Sequence, residues 1–386
     1  MPPKDSGRGG DRNFRGARVA NTTMVATVAK ADDRTTPGGR AGGETSGVTN
    51  RQVTPATQVA ADPLQLVREA MIAKNISGPA LDIIMNSWRS GTKKQYGVYL
   101  KKWQLFCTCN GVDMSTTKIT DVLKFLADLA QSGLGYSAIN TARGALTALL
   151  TISRQETVGN HPLVVRFMKG LFETCPPKPR YTSTWDVGVV LNYLKTLSPV
   201  KRLSLKNLTL KITMLLALVT AQRVQTLQLL DLDLLQRGKC FCFSFREPLK
   251  HSREGRPATT LKLLPYPPDR RLCVLTVLNE YVSRTAGCRG RETALLVSFT
   301  KPHHKVSRDT IAHWLRTVMA KAGVDTTQFK AHSTRSAATS KAAAMHVPID
   351  EILKVGGWST AGTFGKFYRK PVEGIPFAST ILQDAC

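Results

Sequence analysis

The sequence predicts a mainly α protein with a small antiparallel β-sheet, divided into two domains, and three observations carry that expectation. Apolar residues recur at helical spacing from Leu64 to about residue 173. The segment CPPKPRYTST at 175–184 cannot continue a helix and reads as a linker. The apolar period then changes from 3.6 to 2 at Cys240–Phe245 and Thr259–Leu264, with the polar turn EPLKHSREGRPA at 247–258 between them.

The first domain, residues 63–174, is expected to be all helical. Thr92 and Gln95 have the spacing of a capping box ahead of a stripe formed by Tyr96, Leu100, Trp103 and Cys107. Asp121 opens a shorter helix with Val122, Phe125, Leu126 and Leu129 on one face, and Gly133 to Gly135 stops it. Residues 137–152 give a third helix, and Pro162 suits the first turn of a fourth ending near Phe172. In the second domain, residues 185–372, helices are expected at about 185–197, 205–219, 271–284, 308–322, 332–345, 348–355 and 360–369. Ser307 caps the fourth of these and Gly323 stops it. The run Met214 to Val219 (MLLALV) reads as a buried helix segment, far too short to cross a bilayer. Residues 1–62 contain Phe14 as their only aromatic and no leucine, so they cannot build a core and are expected to be a disordered basic tail. Residues 373–386 are expected to be a C-terminal tail with an apolar patch at Phe377, Ile381 and Leu382.

Charge points to a partner. Lys and Arg total 54 against 27 Asp and Glu, so the formal net charge is 54 − 27 = +27. An acidic polymer matches that excess, and nucleic acid is the leading choice. A basic membrane protein would need an amphipathic basic end or an apolar span of about 20 residues, and neither is visible. Lys93, Lys94, Lys101 and Lys102 on the first long helix, with Lys178 and Arg180 in the linker, are the candidate DNA-binding residues; the alternative is a solvated face. Eight cysteines without an export signal point to reduced thiols. The pairs Cys107/Cys109 and Cys240/Cys242 lack companions at zinc-finger spacing, so they are expected to be small apolar fillers rather than a metal site.

The chemistry-bearing residues lie in the second domain. His332 and Arg335 spell H-x-x-R at a helix start, a spacing that puts imidazole and guanidinium on one face. Gly357-Trp358-Ser359 and then Thr363-Phe364 and Tyr368 follow, Arg223 stands just past a buried helix, and Lys250 sits in the polar turn. For each there is a plainer reading: a helix-end cap for Arg223, a turn pair for His332 and Arg335, a core aromatic for Trp358, and a packed helix-face residue for Tyr368. For Lys250 the plainer reading is an ordinary turn lysine, with Lys262 and Arg253 near enough to take its role.

On these residues, and on the stretches SGTKKQYGVYLKKWQLFC and AHSTRSAATSKAAAMHVPIDEILKVGGWSTAGTFGKFYRKP, the sequence from about residue 82 to 372 resembles the tyrosine recombinase or phage integrase family. Its recombinases from DIRS- and Ngaro-type mobile elements are the most similar. The resemblance implies a two-domain DNA clamp, built of a helical core-binding domain and a tyrosine recombinase catalytic domain. It implies that Arg223 and Arg335 bind the scissile phosphate, with Trp358 beside it, that His332 serves as base, that Lys250 gives the leaving oxygen its proton, and that Tyr368 is the nucleophile. It further implies DNA breakage and rejoining without ATP, metal or cofactor, a homo-tetramer on two DNA sites, and action in the nucleus, or in the cytoplasm of a prokaryotic host. Two rival readings are a type IB topoisomerase and a domesticated DNA-binding protein that is no longer catalytic. The sequence departs from the family pattern at Thr226, three after Arg223, where an acidic residue is common, and in the ten positions separating Trp358 from Tyr368.

Overall fold

The computed structural model describes residues 62–371, apart from residues 115, 154–156, 178–179, 251, 253 and 256–258. Both expected tails, Lys178 and Arg253 thus lie outside the described residues. The chain divides into two compact units between Lys178 and Pro179.

The first unit is helical: α1 (Gln65–Ile72), α2 (Gly78–Asn86), α3 (Ser90–Asn110), α4 (Ile119–Gln131), α5 (Tyr136–Ser153) and α6 (Pro162–Thr174). Leu100, Trp103 and Cys107 of the α3 stripe are buried, and the Trp103 ring meets Phe106 at 5.4 Å and Phe125 of α4 at 5.1 Å. The expected capping box is corrected. α3 starts at Ser90, so Thr92 and Gln95 lie inside its first turns, and the flanking Arg89 makes no side-chain cap. A helix already begun has used the amide that Thr92 would have capped. Likewise α4 begins at Ile119, and Asp121 sits one turn in, where its carboxylate accepts the Lys118 N–H at 2.9 Å. Gly133 at φ 85° ends that helix, a backbone angle that costs glycine nothing. Cys107 is a buried filler, but Cys109 is exposed, so that reading fails for the second thiol of the pair.

The second unit is built around one buried helix. α7 (Val187–Thr196) is capped by Asp186, whose carboxylate accepts the Gly188 N–H at 2.9 Å. α8 (Leu205–Thr220) follows, and every residue from Leu208 to Leu218 is buried. A helix buried all round belongs at the centre of a domain, which is where Met214 to Leu218 lie, and each buried leucine contributes about 1.5–3 kcal/mol. Val219, expected to be buried with them, is 50% exposed next to the helix end. Lys211 lies in this core at 0% exposure; its ammonium donates to the Leu194 and Leu197 carbonyls at 2.9 and 2.6 Å, closing the end of α7. The short α9 (Val224–Gln228) comes next, then a three-stranded antiparallel sheet in the order β1 (Leu235–Gln236), β2 (Phe241–Phe243) and β3 (Leu261–Leu263). Phe241 pairs with Leu263 and Phe243 with Leu261, all four buried, which is the period-2 signal in the sequence. The strands are shorter than expected, and β1 and α9, at two and five residues, are too brief to leave a periodic trace.

α10 (Val274–Ala286), α11 (Arg308–Lys321), α12 (Ser333–Ala344), α13 (Ile349–Gly356) and α14 (Ala361–Phe367) complete the unit. Ser307 Oγ accepts the Thr310 N–H at 3.1 Å and Gly323 stands at φ 90°, so α11 has both its expected ends. No helix among the described residues is long and apolar enough to cross a membrane.

Candidate active site

The site forms where the break between α8 and α9 faces α12 and the end of α13. Ala221 closes α8 in the left-handed region at φ 48°, which reverses the chain and leaves the Ala221 carbonyl unused by the helix. Arg335 takes that carbonyl: its Nη1 donates to Ala221 O at 3.1 Å, while Nη2 donates to Gly356 O at the end of α13. Gln222 ties the same break to α13 through a 2.6 Å bond from its Nε2 to Val355 O. Arg223, at the head of α9, then enters the site with its Nη1 buried and unpartnered.

The buried Arg335 guanidinium and the half-buried Arg223 thus lie close enough for one charge to act on the other, and among the described residues no carboxylate pairs with either. Arg335 is only 1% exposed, and its Nε has no partner. Burial, and next the nearby Arg223 charge, pushes the Arg335 guanidinium down to about 9, still protonated at neutral pH; burial lowers Arg223 in the same direction. Two cations held close in a partly desolvated site repel each other, a cost that an anion between them would offset. Thr226, buried behind Arg223, supplies no charge. Arg335 is held by two backbone carbonyls, whereas the Arg223 guanidinium carries a buried Nη1 with no partner among the described residues.

The aromatic side of the pocket is layered. The Arg335 guanidinium lies 3.8 Å from the centre of the Trp358 ring and 5.1 Å from that of Tyr368, and the two rings are 4.5 Å apart. Trp358 is 8% exposed, and its indole N–H is buried with no acceptor among the described residues. Gly356 makes this packing possible: a Cβ there would sit 1.9 Å from the Trp358 ring.

The Tyr368 hydroxyl is 3.3 Å from Nε2 of His332. Burial, followed by the charges of Arg335, Arg223, Arg180 and Lys250, pushes the His332 imidazole down to about 4. The ring itself faces solvent, which tempers the burial effect, but four cations on one side fix the direction. A neutral imidazole next to a phenol can accept its proton.

The structure therefore brings Arg223, His332, Arg335, Trp358 and Tyr368 together. Lys250 follows the buried Leu249 in the turn between β2 and β3, is exposed, and lies near enough for its charge to act on His332. Lys262, its rival, is an exposed residue of β3 opposite Cys242. Arg180, expected only as a DNA contact, also acts on His332 by charge. Lys94, Lys101 and Lys102 are exposed on α3, and Lys93 hydrogen-bonds Asn86 at 3.4 Å. No cluster of three or more His, Cys, Asp or Glu among the described residues could hold a metal. Gly356, Gln222, Ser336 and Ser340 were not singled out in the sequence; the doubled glycine before Trp358 was the one available signal.

Residues 191–373 match the phage integrase family. That segment holds all six candidate site positions. Comparison with curated proteins gives no match. Among solved structures the chain is similar to the XerH site-specific recombinase bound to palindromic difH substrate in a post-cleavage complex, at 12% identity and a TM-score of 0.54, with 84% of each chain covered. It is also similar to a lambda integrase dimer bound to a COC′ core site, at 13% identity and a TM-score of 0.47, covering 82% of this chain and 81% of that one. The fold is that of tyrosine recombinase catalytic domains: mostly helical, with a small three-stranded antiparallel sheet.

Proposed function

We propose that this protein breaks and rejoins DNA through a 3′-phosphotyrosine bond at Tyr368, as the site-specific recombinase or integrase of a mobile element. One observation carries the reading: a phenol within hydrogen-bond reach of a neutral imidazole, beside a buried and a half-buried guanidinium that have no counter-ion among the described residues.

The chemistry follows from those groups. Tyr368 Oη attacks the phosphorus as its proton passes to His332 Nε2; the new O–P bond forms, and the bond from phosphorus to the 5′ oxygen breaks. Negative charge grows on the non-bridging oxygens, where Arg223 and Arg335 supply fixed donors and Trp358 the indole N–H. Lys250 gives the departing 5′ oxygen its proton. The phosphotyrosine keeps the bond energy, so a new 5′-hydroxyl reverses the step on another strand. Such a cycle calls for neither metal nor ATP.

The wider reading, a homo-tetramer on two duplex sites working in the nucleus (or the cytoplasm of a prokaryotic host), rests on the resemblance to mobile-element recombinases and on the net charge. Docking of the C-terminal tail on a neighbouring protomer would contribute to that assembly, and truncation after Lys370 should then abolish synapsis. The test is incubation with a nicked suicide duplex carrying candidate element termini. A protein-linked band that disappears in Tyr368→Phe supports the reading; relaxation of supercoils without two-site exchange indicates a topoisomerase, and DNA binding without any adduct indicates a domesticated, inactive protein.

A further inference from the structure

Two serines do something that the site chemistry has not used. Ser336 and Ser340 stand one turn apart on α12, 5% and 4% exposed, immediately beyond Arg335. Both hydroxyls donate to the main-chain carbonyl of Tyr368, each at 2.9 Å. Ser340 Oγ also accepts the Lys370 N–H at 3.0 Å. The neighbouring chain is tied on both sides: the Tyr368 and Arg369 N–H groups reach Phe364 O at 2.8 and 2.9 Å, and Pro371 O accepts the Thr184 N–H at 2.9 Å.

These bonds are not what α12 needs. In STRSAATSKAAA, alanine at either serine would favour the helix by a few tenths of a kcal/mol, and the hydroxyls point away from the helix's own carbonyls. They are what α14 lacks. A helix of seven residues cannot hold itself, and its last carbonyls need donors from elsewhere. Tyr368 sits at that frayed end, so the place of its phenol depends on whatever fixes the main chain there.

We propose that Ser336 and Ser340 are positioning residues that latch the main chain of the nucleophile onto the helix carrying its base and phosphate clamp. The proposal rests on the reading of Tyr368 as nucleophile. α12 then acts as a ruler: His332 and Arg335 meet the phenol, and the hydroxyls at 336 and 340 set its distance from them. Both hydroxyls are engaged by the main chain of Tyr368 and Lys370.

The test uses the full chain and a pool of nicked duplexes of randomised sequence, with adduct formation followed in single turnover. In Ser336→Ala/Ser340→Ala the rate at saturating DNA should fall about 10–100-fold, the size expected for a misplacement near 1 Å, with half-saturation unchanged. Ser336→Thr/Ser340→Thr, which keeps both hydroxyls, should recover most of the rate. Amide exchange at Lys370 should accelerate in Ser340→Ala and stay slow in Ser340→Thr. A double alanine variant that cleaves at the parent rate, or one that loses DNA affinity instead of rate, overturns the proposal; so does unchanged exchange at Lys370 while the adduct still forms. Should the parent give no adduct that depends on Tyr368, the nucleophile reading itself fails, and the positioning role falls with it.

Discussion

Replacing Gly356 by alanine should damage the site without altering any group that does chemistry. A Cβ at 356 would lie 1.9 Å from Cζ3, 2.2 Å from Cε3 and 2.8 Å from Cη2 of Trp358, whereas ordinary contact begins at 3.4 Å. The ring must therefore retreat by about 3.4 − 1.9 = 1.5 Å. It has little room, being packed against Arg335 at 3.8 Å, Tyr368 at 4.5 Å and Phe364 at 5.5 Å. Overpacking of this kind costs about 1–3 kcal/mol, and in a unit of this size each kcal/mol lowers Tm by roughly 2–4 °C. The Arg335 guanidinium loses its stacking face, and a shift of that order in a phosphate-binding group should slow cleavage about 100-fold. Thermal melting and the rate of adduct formation on the nicked duplex measure the two effects. Gly362→Ala is the control: a Cβ there meets nothing within 4 Å, and both quantities should stay at the parent values. A Gly356→Ala protein that melts and cleaves like the parent would refute the packing argument.

Three further outcomes are expected. Because the pKa of His332 is depressed, its ring stays ready to accept a proton throughout the range about pH 6 to 8, so the cleavage rate should not drop until pH falls well below 6, and His332→Ala should lose about 100-fold or more; an inflection near 6.5 that His332→Ala removes would contradict this. Lys250→Ala should be rescued by a substrate whose 5′ leaving atom is sulfur, which needs no proton, while Lys262→Ala should show no defect to rescue; the reverse pattern would move the acid to Lys262. Burial pushes the Lys211 ammonium down to about 8, so between that value and about 10.4 the unfolded chain binds more protons than the folded one. Stability should accordingly rise from pH 8 to 10 in the parent, measured by urea unfolding, and this rise should be absent in Lys211→Met.

What the sequence made legible, and what it hid, has a physical division. The stripe at Leu100, Trp103 and Cys107, the buried run from Met214 to Leu218, and Ser307 with Gly323 at the ends of α11 are local patterns, set by residues within a turn or two. The H-x-x-R spacing showed that His332 and Arg335 share a helix face, but their meeting with Arg223 and Tyr368 came from resemblance alone, because no local period encodes proximity across 335 − 223 = 112 or 368 − 332 = 36 residues. The latch serines stayed hidden for that reason: they bond a carbonyl 32 and 28 positions away and read as ordinary small residues in an alanine-rich helix. The Thr92–Gln95 cap misled because the motif was real in spelling while α3 had begun two residues earlier. Lys211 defied the apolar pattern of α8, and only the open carbonyls at the end of α7 explain its presence in the core.

The most direct measurement is the chemical identity of the protein–DNA link. After reaction with the nicked duplex, nuclease trimming and peptide mass spectrometry should find a nucleotide remnant joined through its 3′-phosphate to the peptide containing Tyr368, and to no other peptide. A remnant on a different hydroxyl, a 5′ linkage, or an adduct that survives in Tyr368→Phe would contradict the mechanism.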